Sequence, residues 1–374
     1  MSIDFLAERM TRQGLAVRSM ATAAGVAAAA VGLQAQDPGS SRLGVRARSG
    51  TVDEASVLDA VQLERSVVRT WLMRSTVHLV AAEDLRWMTA LFGPLMERNS
   101  RARWRQLGIT EPLIEAAIPH ARELLGGRGL TRHELAAELA ERGIRLAGDG
   151  QAPTHLLAAL TARAVTCRGL DNGRDPTFVL IDDWGAPDQA TAPGDPAAEL
   201  ARRYFRAFGP ATAADFTTWS GLPAGAAIAA IRDELTEVSF DGRRGWSLGP
   251  VEPTPGFRQL PMFDNYLLGY RDRTAMLDPR MHPRVYVGGI IKATVVCDGR
   301  VLGIWRLDRS GRAATVRVSP FEPFTRRHQD GLDRERADLE RFLGRPVALE
   351  VDPGLLASGA CVRSSTQTRA RPVF

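Results

Sequence analysis

Apolar positions along the chain recur first at helical spacing and then at strand spacing, and this change of period repeats. Ile3 to Arg12 and Thr22 to Val31 predict two helices. Val52 to Gln62 predicts a third, with Thr51 as its cap and Glu54 placed to close a capping box. Ser66 to Val80 is rich in Val and Thr and predicts two short strands turning near Met73 to Ser75. A long helix follows over Glu83 to Gln106, carrying Arg86, Arg98, Arg101, Arg103 and Arg105. The order then recurs: helices over Glu111 to Leu125, from the Thr131/Glu134 capping box to Gly143, and over Thr154 to Arg163. Ala164 to Leu170 and Thr177 to Ile181 pair through Asp171-Asn172-Gly173. It recurs once more with helices over Ala197 to Phe208, Thr212 to Trp219 and Ala224 to Leu235, and a hairpin from Val238 to Leu248.

Helices closed by a small hairpin are the layout of a winged helix, and the chain predicts three in tandem. The expected fold class is therefore mainly α with small β-wings, an α+β protein. A length of 374 residues exceeds one average core. The expected divisions are residues 1–108, 109–185, 195–250 and 251–374, with the Pro-, Gly- and Asp-rich stretch between Asp182 and Asp195 as a linker. Beyond Pro250, Val285 to Val296, Arg300 to Leu307 and Ala314 to Val318 predict a β-meander, and Asp330 to Leu343 a charged helix. The tail from Ala360 is polar and expected to be loose.

Composition narrows the chemistry. Hydrophobic content of 44% and charged content of 24% suit a soluble globular protein, and the net charge is +5. Lys292 is the sole lysine, so the basic residues are almost all arginine, the side chain suited to bidentate phosphate contacts. The same bias is expected of a GC-rich coding sequence. Cys167, Cys297 and Cys361 lie far apart, which supports neither a zinc site nor a disulfide framework. No stretch has the length and apolarity of a membrane span, and mixed charges before the alanine-rich Met20 to Leu33 exclude a signal peptide, so a cytoplasmic location is expected. The six histidines form no HExxH, and no P-loop, GxSxG or dinucleotide-binding glycine motif occurs in context, so neither a metal nor a cofactor is expected. These exclusions leave nucleic acid as the expected partner.

One stretch carries the candidate chemistry: Gly32-Leu33-Gln34-Ala35-Gln36-Asp37-Pro38, followed by Arg42, Arg46 and Arg48. Pro38 biases Asp37 away from helix, so Gln34 and Gln36 are expected at or just past a helix end, where two amides can converge. The competing reading is a solvated helix end with Asp37 as an Asx-Pro turn. Arg46 and Arg48 are candidate phosphate clamps. Arg271 and Arg273 are candidate DNA contacts, with pairing to Asp264 and Asp272 as the alternative. His282, beside the Gly288-Gly289 turn, is the histidine set apart, and Tyr266, Tyr270, Trp71 and Trp87 are expected in the core.

Four blocks in order, GLQAQDPGSSRLGVRAR, RTWLMRSTVHLV, FDNYLLGYRDR and GGIIKATVVCDGRVLGIWR, resemble the AlkZ-like DNA glycosylases over nearly the whole chain. The resemblance implies three tandem winged helices in a C-shaped arrangement and a Q-x-Q pair that carries the chemistry, here Gln34 and Gln36. It also implies a hairpin inserted into duplex DNA, matched by the segment around Arg284 to Lys292. The expected activity is removal of cationic N-alkylated purines (N7-alkylguanine, N3-alkyladenine), extending to bulky adducts or interstrand crosslinks, in repair or toxin self-resistance. A purine already bearing positive charge leaves as a neutral base, so the enzyme supplies a positioned water and stabilises an oxocarbenium-like sugar. Strand cleavage through a Schiff base needs an amine, and Lys292 is more simply a phosphate contact, so a monofunctional enzyme is expected, acting as a monomer on duplex DNA. The alternatives are a non-catalytic tandem winged-helix regulator and a nucleoid-type binder whose affinity depends on salt alone.

Overall fold

The computed structural model describes residues 4–146, 150–172, 175–184 and 192–352. The tail from Ala360 and the middle of the linker stretch, residues 185–191, lie outside the described residues.

The first group of elements comprises α1 (Phe5–Arg12), α2 (Ala23–Ala29), β1 (Leu33–Gln34), α3 (Pro38–Arg48), α4 (Glu54–Gln62), β2 (Val67–Trp71), β3 (Val77–Ala81) and α5 (Leu85–Gln106). Its sheet has the order β1-β3-β2, all antiparallel. The second comprises α6 (Glu111–Leu125), β4 (Leu130–Thr131), α7 (Arg132–Glu141), α8 (Ala152–Ala162), β5 (Thr166–Asn172) and β6 (Asp175–Leu180), with sheet order β4-β6-β5. The third comprises α9 (Pro196–Phe208), α10 (Ala213–Ser220), α11 (Ala224–Ala230) and the hairpin β7 (Thr236–Phe240) and β8 (Arg243–Ser247). Mixed α and β structure with small wings is the class the sequence predicts.

The C-terminal part holds β9 (Phe257–Leu260), α12 (Asn265–Leu268), α13 (His282–Val285), the two-stranded hairpin β10 (Tyr286–Val287) and β11 (Ile290–Ile291), β12 (Thr294–Cys297), β13 (Arg300–Asp308), β14 (Ala314–Pro320), α14 (Arg326–Leu343) and β15 (Val347–Val351). The meander extends to a five-stranded sheet of order β15-β14-β13-β12-β9, with β15 parallel to β14. The short hairpin β10-β11 stands apart from it as its own two-stranded sheet.

Local signals account for many boundaries. Thr131 and Glu134 form the predicted capping box of α7. Thr212 caps α10, and Gly221 ends it in the left-handed region at φ 81°, where a Cβ is costly. Two expectations need correction. Asp53, not Thr51, caps α4, accepting from the Ser56 N–H at 2.8 Å. Pro38–Arg48 is a helix that the sequence did not announce, and Asp37 is its N-cap rather than a simple turn residue.

One buried apolar cluster runs through all of these elements but β7. It includes an aromatic nest of Tyr204, Phe205, Phe208, Phe216 and Trp219. The N-terminal helix docks far from its sequence neighbours: Arg9 donates to the Pro210 carbonyl at 2.7 and 3.0 Å, and Arg12 reaches the Leu248 carbonyl at 2.8 Å. Tyr266, Tyr270, Trp71 and Trp87 all sit in the core, as expected.

Candidate functional site

The path into the glutamine pair is set by backbone geometry. α2 ends, and Val31 (φ 54°) and Gly32 (φ 87°) turn the chain in the left-handed region. A Cβ on Gly32 would meet the Val80 side chain at 3.0 Å. Asn265, from the FDNYLL block, donates to the carbonyls of Ala30 (3.1 Å) and Gly32 (2.7 Å) and so fixes this reversal. Leu33 and Gln34 then pair with Leu79 and His78 of β3, and the Ala35 N–H donates to the Val77 carbonyl at 2.7 Å. Gln34 therefore lies just past the end of α2, in a short strand that the sequence did not announce.

The two amides meet. Gln34 Nε2 donates to Gln36 Oε1 at 2.9 Å. Gln34 is 7% exposed, and its Oε1 is buried with no hydrogen-bond partner. Gln36 is exposed. The pair thus presents one free acceptor held rigidly by a bond to its neighbour. An unpaired buried carbonyl costs roughly 1–3 kcal/mol, a cost that a water or a ligand bound to it offsets. Asp37 Oδ2 accepts from the Ser40 N–H at 2.6 Å as the cap of α3, so that carboxylate oxygen is engaged locally.

Beneath the pair lies a histidine that sequence reasoning set aside. His78 is paired across the sheet with both Gln34 and Thr70, so the three side chains share one face. His78 Nδ1 lies 3.0 Å from the Thr76 carbonyl, and burial, aided by the Arg74 charge, pushes its pKa down to about 3. The imidazole is neutral at working pH, and its Nδ1 proton points at Thr76. Only the strand register, which is non-local, reveals this placement.

The candidate arginines divide sharply. Arg46 and Arg48 are fully enclosed, at 0% exposure. Arg46 binds Asp338 and Glu335 at 2.9 Å each and the Gln259 carbonyl at 2.6 Å. Arg48 holds both oxygens of Asp264 at 2.8 Å. The expectation that these two clamp DNA is corrected: they lock α3 to the C-terminal part, and neither guanidinium reaches a phosphate. The pairing imagined for Asp264 and Asp272 is corrected too, since Asp272 binds Arg243 at 2.9 Å.

The remaining candidates cluster around the hairpin. Arg271 is exposed. Arg273 donates to the Leu267 carbonyl at 2.5 Å and lies over the Tyr286 ring at 5.4 Å. His282 stacks on Tyr286, with ring centroids 4.2 Å apart. Arg284 lies over Phe321 at 4.9 Å with its Nη1 buried and unpartnered. The hairpin tip itself is Gly288-Gly289, both left-handed at φ 57° and 83°, flanked by Val287 and Ile290, each 45% exposed. Two aliphatic side chains so exposed at a tight turn give the hairpin tip the form of a wedge.

Between hairpin base and glutamine loop opens a cavity of about 970 Å³. Met262, Ile304, Trp305 and Leu307 give it an apolar wall, while Lys292 and Arg306 supply charge beside Asp37. No group of side chains among the described residues is arranged to hold a metal ion, and no described helix is long and apolar enough to cross a membrane.

Residues 27–342 match the family described as DNA glycosylase AlkZ-like. The chain is 29% identical over 365 residues to an interstrand DNA cross-link repair glycosylase of Streptomyces sahachiroi, covering 90% of this chain and 95% of that one. Its fold is similar to the solved structure of the Streptomyces sahachiroi DNA glycosylase AlkZ, with a TM-score of 0.78, 28% identity, and coverage of 94% of this chain and 100% of the other.

Proposed function

The chain belongs to the AlkZ-like DNA glycosylase family, and on that footing we propose a monofunctional enzyme that hydrolyses the N-glycosidic bond of cationic N-alkylated purines in duplex DNA. The carrying observation is the Gln34–Gln36 amide contact with Gln34 Oε1 buried and unpaired. In this reading the lone carbonyl accepts a hydrogen bond from the attacking water, whose proton passes to solvent once the C–O bond has formed, and turns its negative dipole end toward the sugar as that sugar becomes cationic. Gln36 holds the Gln34 amide in that orientation and donates its own exposed amide to the nucleotide. No general acid is needed, because an N7- or N3-alkylated purine departs neutral.

Phosphate and groove contacts are assigned to Arg271, Arg273, His282, Arg284 and Lys292, with Val287 and Ile290 entering the stack at the hairpin tip. Lys292, the single lysine, is among the residues that line the cavity, which Gln34 and Gln36 are not, and this favours release of the base without strand cleavage. The cavity beside Asp37 has room for the non-nucleotide part of a bulky adduct, and the relative's crosslink repair makes crosslinks a substrate class for this chain as well. The enzyme acts as a monomer at the nucleoid.

The test is direct. Duplex DNA carrying N7-methylguanine is incubated with the protein and then heated in alkali, and strand breaks at abasic sites are expected. Breaks appearing before alkali would refute the monofunctional reading, and none appearing with any alkylated duplex would refute the substrate assignment.

A further inference from the structure

Most arginines that this fold buries are supplied with a partner, and Arg74, whose charge is felt at His78, is one of those that are not. Arg46 and Arg48 face carboxylates, and Arg9 faces a carbonyl. Arg74 is different. It sits in the turn between β2 and β3, where Arg74 (φ 54°) and Ser75 (φ 60°) are consecutive left-handed residues. Arg74 Nη1 and Ser75 Oγ are both buried and both without a partner. Among the described residues, neither Arg74 nor Arg273 has a carboxylate in an ion pair. The charge that Arg74 does feel is that of Arg273, and burial together with this like charge lowers its pKa to about 10, which leaves it protonated. The stem of the side chain is confined: a Cβ on Gly221 would lie 3.6 Å from its Cγ and 3.3 Å from Leu95.

A held, desolvated cation with a second cation nearby and no counter-ion is incomplete without an anion. Adjacent hydroxyl and guanidinium donors suit a tetrahedral oxyanion. The Arg74 charge is felt at His78, the cross-strand partner of Gln34, and Thr70 Oγ1 in the same row is likewise buried and unpaired. On the other side, Arg273 leads through Tyr286 and His282 to the wedge hairpin. The seat therefore neighbours both the Gln34–His78 row and the residues at the base of the hairpin.

We propose that the Arg74–Ser75 turn, with Arg273 facing it, binds one backbone phosphodiester of the strand whose nucleotide lies over Gln34 and Gln36. The proposal rests on the reading that this face holds DNA, but not on base release. It gives Arg74 a positioning role: one phosphate is fixed, and the sugar next to it is presented to the amides.

The experiment is a charge-neutralisation scan. Duplexes with a single neutral methylphosphonate at successive linkages around N7-methylguanine are titrated with the wild-type protein by fluorescence anisotropy, at several salt concentrations. One linkage is expected to weaken binding about tenfold and to lower the salt slope by about one contact. Arg74→Asn, which tolerates the left-handed backbone, should lose the same factor on unmodified duplex and nothing further at that linkage. Arg74→Lys should recover part of the loss, and Ser75→Ala should show a smaller loss at the same linkage. Thermal melting confirms that the variants fold. If wild type is indifferent to every linkage, or if the Arg74→Asn loss adds undiminished to the methylphosphonate loss at all of them, the seat does not exist. Because binding is the readout, absence of base release from every adduct would overturn the catalytic reading and leave this result standing.

Discussion

Arg48 grips Asp264 through two hydrogen bonds of 2.8 Å, joining the helix that follows the glutamine pair to the FDNYLL segment 216 residues away. Asp264 also accepts from the Tyr266 N–H at 2.8 Å, while its neighbour Asn265 fixes the turn that precedes Gln34. Both ends of the loop that carries Gln34 and Gln36 are thus anchored on one short segment. The pair is fully desolvated, so removing one partner leaves a buried charge. Arg48→Ala should cost about 3–5 kcal/mol, measured by urea unfolding. Arg48→Met combined with Asp264→Leu should recover much of that loss, because apolar replacement of both partners removes the stranded charge. Equal instability in the single and double variants would show that packing, not charge, governs this joint.

Gln34 separates activity from stability. Its buried carbonyl lacks a partner, so Gln34→Leu removes a desolvation cost while filling similar volume. The variant should be as stable as wild type or more so, yet slower in base release by about a hundredfold. Gln36→Ala should lose a comparable factor with little change in stability, since Gln36 is exposed. Single-turnover rates on N7-methylguanine duplex, beside thermal melts, decide this. A Gln34→Leu protein that keeps full rate would end the assignment.

His78 predicts an acid-sensitive stability. Its folded pKa is depressed to about 3, first by burial and then by Arg74. The unfolded chain binds that proton near pH 6.5, so the folded state loses stability as pH falls from about 6.5 toward 3. Between pH 7 and pH 5, above the range of ordinary carboxylates, the loss should be about 2 kcal/mol. His78→Asn should flatten the slope in that window even if the variant is less stable overall. Urea unfolding at pH 7, 6 and 5 measures it, and parallel slopes for the two proteins would place the titration elsewhere.

Much of the architecture was readable because its signals are local. The Thr131/Glu134 capping box, the Ser220-Gly221-Leu222-Pro223 turn and the change of period at Ser66 each act within a few residues, and the structure follows them. The Q-x-Q spacing likewise drew attention to two residues that the fold brings into contact. What escaped was set at long range. Pro38–Arg48 is poor in intrinsic helix propensity, with Gly39, Ser40, Ser41 and Gly44, and is held by Arg46 and Arg48 bound to distant carboxylates. The same two arginines looked like surface phosphate contacts because sequence gives charge without burial. The strand at Leu33–Gln34 exists only because β3 offers an edge, and that pairing alone sets His78 beneath Gln34.

The hairpin wedge should be separable from the fold. Val287 and Ile290 are each 45% exposed, so changing them costs little stability. Val287→Ser with Ile290→Ser should leave the melting temperature nearly unchanged, weaken duplex engagement, and slow release of N7-methylguanine from duplex more than from single-stranded DNA, where no stack needs opening. Equal slowing on both substrates would assign the hairpin a role other than insertion.

The cavity beside Asp37 makes the sharpest distinction among substrates. Its wall includes Ile304, half-buried on β13 and facing the space of about 970 Å³. A methyl group on a purine does not need that space, whereas a polycyclic adduct has to be placed somewhere when its nucleotide stays in the helix. Ile304→Trp reduces the space without touching Gln34 or Gln36. The variant should therefore keep its rate on N7-methylguanine within about twofold and lose at least tenfold on a bulky N7-guanine adduct, a difference of about 1.4 kcal/mol in transition-state binding. Competing the two substrates in one reaction reads the ratio directly and cancels any loss of active protein. A ratio unchanged from wild type would mean that large adducts lie outside this cavity, along the open face between the hairpin and the first sheet.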